Sequence, residues 1–134
     1  MIKFIAIGAT ILALQGCAAL STVTGYIPSF WDDNQSAKIV DIRQSIEQIS
    51  CEPGTQLSDA TSVKNGIEWF KLYSESKGSR QKDVLRIIAP MEETVTDWAK
   101  RSETKEGSKT YCELKKKTLK LQASRAAEAI LGRF

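Results

Sequence analysis

The chain has 134 residues, 42% hydrophobic and 26% charged, which leaves room for one domain of ordinary globular composition. With only 3 Pro and 8 Gly and no repeat at a 20 to 50 residue spacing, it is neither a low-complexity segment nor a repeat array. Its 19 basic residues against 16 acidic ones give a net charge of +3, too little for strong attraction to nucleic acid, so no nucleic-acid partner is expected.

Residues 1 to 16, MIKFIAIGATILALQG, carry Lys3 as their only charge and then an apolar or small-residue run of 11 from Phe4 to Leu14. That run is too short for a bilayer core of about 30 Å, which takes roughly 20 helical residues. A charged start, a short apolar centre and a small residue before a cut are the layout of a secretory signal peptide. Leu14-Gln15-Gly16-Cys17 resembles the bacterial lipobox, with a branched apolar residue three before a cysteine and a small residue one before it. The resemblance implies that residues 1 to 16 are removed and that Cys17 receives a diacylglyceryl thioether and an acylated amino terminus, including palmitate-type chains. Ala18 in the next position implies the outer membrane, with the protein held on its periplasmic face. Several acyl chains on one residue make a lasting anchor, at about 0.8 kcal/mol per buried methylene. Residues 17 to 31 are then the lipidated end and its tether.

Tyr26, Phe30 and Trp31, interrupted by Pro28, form an aromatic entry segment with two readings. They are a docking or membrane-interface patch, since Trp and Tyr favour the headgroup layer, or they pack against the first helix. Pro28 argues for extended backbone there.

The helical domain is expected over 32 to 134. A first helix should begin at Asp33 or Asn34 and run to about Ser50, with Ile39, Ile42, Ile46 and Ile49 on one face. Pro53-Gly54 marks a turn. A second helix is expected from Ser58 or Asp59 to Lys77, with Val63, Ile67, Phe70 and Tyr73 or Ser74 inward and Gly78 ending it. A third, from near Ser79, places Val84, Ile88, Met91, Val95 and Trp98 on one face, and Pro90 within it predicts a kink or a restart near Ala89. SETKEGSK (102 to 109) reads as a polar loop before a last helix, Lys109 to Leu131, with Cys112, Leu119, Ala123, Ala126 and Ile130 inward. No segment alternates long enough to be a strand. The fold class that follows is all-α, a bundle of about four amphipathic helices.

With Cys17 assigned to lipid, Cys51 and Cys112 remain as a pair, and in an oxidising compartment such a pair in a small domain becomes a disulfide. A zinc site is the competing use, but the chain has no histidine and no Cys-x-x-Cys, so neither metal nor cofactor is expected.

Residues 109 to 134 hold seven basic residues against two acidic ones. Lys109, Lys116, Lys117, Lys120 and Arg125 make a candidate contact face for an anionic surface, or a solvated helix face. For catalysis the only cluster to weigh is Glu92, Glu93 and Asp97, which reads more simply as a charged helix surface. The expected activity is therefore non-enzymatic: a membrane-anchored lipoprotein that binds another protein or the envelope in the periplasm. IPSFWDDNQSAKIVDIR is similar to small lipoproteins encoded by bacteriophages. That likeness implies two alternatives, a spanin-type outer-membrane lysis subunit or a superinfection-exclusion lipoprotein. The folded body and few prolines count against the spanin.

Overall fold

A computed structural model describes residues 32 to 132. The expected signal peptide, the expected lipidation site Cys17 and the aromatic residues Tyr26, Phe30 and Trp31 lie outside the described residues. The described chain forms four helices, α1 (Asp33–Glu47), α2 (Gln56–Ser76), α3 (Lys82–Thr104) and α4 (Lys109–Leu131), with a 3-10 turn, Ser79–Gln81, leading into α3. No strand occurs among the described residues. Packing runs round a ring: α1 on α2, α2 on α3, α3 on α4 and α4 back on α1. The antiparallel bundle therefore has α2 and α4 at opposite corners.

Each inward face is the one read from the sequence. Ile39, Ile42 and Ile46 from α1, Val63, Ile67 and Phe70 from α2, Val84, Ile88, Met91, Val95 and Trp98 from α3, and Cys112, Leu119, Ala123, Ala126 and Ile130 from α4 form one buried core. Ile49 and Cys51 join it from beyond the end of α1. Burying a large aliphatic or aromatic side chain contributes about 1.5–3 kcal/mol, so this core is the main source of stability.

The helix ends are where structure and sequence reading part. α1 stops at Glu47 rather than near Ser50: the Lys116 ammonium donates to the carbonyls of Glu47 (2.9 Å) and Ile49 (2.7 Å), and the second of these could not be bonded by a continuing helix, because Pro53 four residues on has no N–H. α2 begins at Gln56, two or three residues before the expected caps Ser58 and Asp59. Its first N–H, that of Gln56, is satisfied from a distance by the Glu106 carboxylate (3.2 Å), which also accepts from Gly54 (2.9 Å) in the preceding turn, while Asp59 of α2 accepts the Ser50 N–H (3.1 Å). α3 does not restart near Ala89, and Pro90 lies inside one continuous helix. It runs unbroken to Thr104, so the first residues of the expected loop SETKEGSK are helical. Gly78, at φ 91, lets the chain leave α2 in a conformation a side chain would resist. Ser108 caps α4 by accepting the Tyr111 N–H at 3.1 Å.

Candidate functional site

The bundle has two differently built ends. At one, the end of α1 meets the start of α4, and the Cys51–Cys112 disulfide joins them with a Cα–Cα distance of 5.6 Å. Cys51, at φ 58, occupies the left-handed region, which turns the backbone so that its sulfur reaches α4. Both cysteines are buried, so the bridge is part of the core.

Around this bridge the expected basic face divides in two. Lys116 is spent on the carbonyls of α1. Lys120 pairs with Glu47 at 2.8 Å, and its hydrogen bond holds the Glu47 carboxyl below its ordinary range. Lys109 reaches Glu52 at 3.6 Å, and Lys115 reaches Asp97 at 3.1 Å. These lysines fasten α4 to α1, α3 and the first loop and are not a free contact face. Lys117 and Arg125 are different: both are exposed, with no ion pair among the described residues. They share the outer side of α4 with Leu114, 60% exposed, and Leu121, 54% exposed.

The other end receives the chain. Asp32 caps α1 by accepting the Gln35 N–H at 3.0 Å, and its other oxygen takes the Tyr73 hydroxyl at 3.2 Å and the Lys77 ammonium at 3.0 Å. Partial burial pushes the Asp32 carboxyl up, but the bonds from Gln35, Lys77 and Tyr73 outweigh it and leave the group below its ordinary value. The hydrogen bond to Asp32 likewise raises Lys77. Beneath them lies a buried polar relay: the Gln35 amide donates to Ser74 Oγ (2.9 Å) and Gln81 Oε1 (2.8 Å), and Ser74 donates to the Phe70 carbonyl (2.8 Å). Gln35 and Gln81 carry no signal in the sequence, because polar residues outside an apolar stripe look solvated.

Trp69 carries no such signal either. It stacks on Tyr73 with ring centroids 5.1 Å apart and planes 6° from parallel, while Lys38 and Lys77 lie over the two rings at 5.3 and 5.4 Å. Trp69 is 44% exposed, and Leu72, on the same outer side of α2, is 59% exposed. Next to it, Lys64, Glu68, Lys71, Leu72, Glu75 and Glu92 line a groove between α2 and α3. Lys71 closes on Glu92 at 2.7 Å, a hydrogen bond that raises its affinity for the proton.

The three candidate carboxylates do not converge. Glu92 turns to Lys71 of α2 and Asp97 to Lys115 of α4, leaving Glu93 exposed between them. No group of three or more His, Cys, Asp or Glu side chains able to hold a metal occurs among the described residues. No described helix is long and apolar enough to cross a membrane.

What the surface offers chemically is two opposite, partly apolar faces, basic on α4 and acidic on α2. No family model, curated protein or solved structure matches the chain.

Proposed function

We propose that the protein is a non-enzymatic lipoprotein, held through Cys17 on the periplasmic face of the outer membrane and working by binding another component of the envelope. One observation carries the reading: a charged start and an 11-residue apolar run lead directly into Leu14-Gln15-Gly16-Cys17. The pairing of Cys51 with Cys112 supports it, because Cys17 is then the one cysteine left for another chemistry. A buried disulfide also suits export to an oxidising compartment. The exposed leucines of α4 and the Trp69–Leu72 side of α2 supply the surface through which a small helical domain can bind.

The test is the mass of the amino terminus of the protein purified from membranes. The expected peptide starts at Cys17 and carries a diacylglyceryl group and an amide-linked acyl chain. Recovery of an intact Met1-to-Gly16 extension, or of a free Cys17 thiol in the membrane fraction, would refute the assignment. Capture of envelope proteins by the lipidated chain, with Cys17→Ser as control, then identifies the partner.

A further inference from the structure

We infer that the protein associates with itself head to tail, the outer face of α4 in one molecule docking on the α2–α3 groove of a second copy. The two faces are complementary in charge and in the spacing of their charged residues. On α4, Leu114 and Leu121 stand seven residues apart, about 10.5 Å along the axis, with Lys117 between them and Arg125 one turn further on. These four side chains make a ridge of apolar contacts flanked by cations that have no ion pair among the described residues. On α2, Glu68 and Glu75 are also seven residues apart, and Leu72 lies between them at the lip of the groove. The groove holds three carboxylates against two ammonium groups, and Lys71 is already committed to Glu92. A ridge with Lys117 and Arg125 about 12 Å apart can therefore meet Glu68 and Glu75 together, with leucine on leucine between the ion pairs.

The placement of the faces sets the kind of assembly. Because α2 and α4 occupy opposite corners of the ring, the donor and acceptor surfaces of one molecule point away from each other. A contact between two such unlike surfaces is heterologous and repeats from copy to copy, giving open chains unless the rotation closes a ring. Pairing α4 with α4 would oppose Lys117 and Arg125 to themselves, and pairing α2 with α2 would oppose the glutamates, so the two-fold alternatives are electrostatically disfavoured. An anionic lipid layer would attract the α4 face but leave Trp69, Leu72 and the acidic groove of α2 without a partner. One helix in one groove is smaller than the roughly 800 Å² per partner of a standard stable interface, so the association is weak and is best caught covalently. The inference does not depend on lipid at Cys17.

The experiment uses the full chain in neutral detergent and on phosphatidylcholine vesicles, cross-linked by a carbodiimide that joins an amine directly to a carboxylate. A mixture of light- and heavy-nitrogen protein separates bonds between copies from bonds within one. The expected result is a ladder of dimers and higher species, with Lys117 of one copy joined to Glu68 or Glu75 of another. Lys117→Glu with Arg125→Glu, or Glu68→Lys with Glu75→Lys, should each lower the yield at least about tenfold, because like charges then face each other. All four sites are exposed, and unchanged circular dichroism confirms that the variants fold. Mixing the two variants should restore the ladder with the two kinds of molecule alternating, since the unchanged face of each meets the unchanged groove of the other and the two reversed surfaces are again opposite in charge. The proposal is overturned if wild-type protein gives no bond between copies, if either variant keeps the wild-type ladder, or if the mixture yields no dimer. It is equally overturned if copies stay separate while phosphatidylglycerol vesicles shield Lys117 from a water-soluble acylating reagent, which would make the lipid the occupant.

Discussion

Reducing the Cys51–Cys112 bridge should remove a large part of the domain's stability. The bridge closes a loop of sequence separation 61, and both cysteines are buried, so the reduced thiols can remain in the core without opening a large cavity. The effect then falls mainly on the unfolded chain, which regains the conformations the closed loop denied it. On the chain-entropy relation a loop of that length is worth about 14 cal/mol/K, or about 4.3 kcal/mol at 25 °C, roughly a thousandfold in the folding equilibrium. Small domains have a total of about 5–15 kcal/mol, so the reduced protein is near the limit of folding. The assay is urea unfolding followed by circular dichroism, on oxidised protein and on protein unfolded, reduced and refolded under reductant. With a slope of about 1–3 kcal/mol/M, the midpoint should fall by about 1.5–4 M. If the two forms unfold within about 1 kcal/mol of each other, the unfolded chain is not constrained as argued, and the bridge acts only locally.

Two further changes probe the entry end. Asp32 has a folded-state pKa below its ordinary value, so the unfolded chain binds the proton more readily. Its stabilisation is therefore complete above the ordinary carboxylate range, near pH 4, and is lost as pH falls through the lower folded-state value. Asp32→Ala should cost about 1–2 kcal/mol at pH 7 by removing the cap, and less at pH 2, as read from denaturation midpoints at both pH values. Gln35→Leu strands the buried Gln81 oxygen that its amide satisfies. A loss of about 1–3 kcal/mol is expected, and a second change, Gln81→Leu, should recover at least half of it, since removing both partners is far cheaper than orphaning one.

The parts of this fold that could be read from the chain are those fixed by neighbours three and four residues away. Ile39, Ile42 and Ile46, or Val84, Ile88, Met91, Val95 and Trp98, repeat at the helical period, and that spacing alone puts them on one face and into the core. Ser108 caps α4 through the residue three positions on, so the start of that helix was legible too. What was not legible depends on groups far apart in sequence. The start of α2 is bonded by Glu106, fifty residues away, and the end of α1 by Lys116, almost seventy away. The same distance hid the division of the basic helix: Lys116 and Lys117 are adjacent letters, yet one is half-buried against the carbonyls of Glu47 and Ile49 and the other stands in solvent. Gln35 and Gln56 look like surface residues until their partners are in place. Gln56 donates to the Gly107 carbonyl at 2.6 Å and lies 3.4 Å from the Trp98 indole nitrogen.

The position of the bridge also decides how the domain would respond to being pulled. A force applied where the chain enters at Asp32 and resisted at the end of α4 travels along α1, crosses from Cys51 to Cys112, and continues down α4. α2, the 3-10 turn and α3 lie outside that path. At about 3.4 Å per extended residue, the 61-residue separation conceals roughly 200 Å of contour length that tension cannot pay out while the bridge is intact. A stretched molecule would pay out only its first and last segments, and α2 and α3 would feel the load only through their packing against α1 and α4.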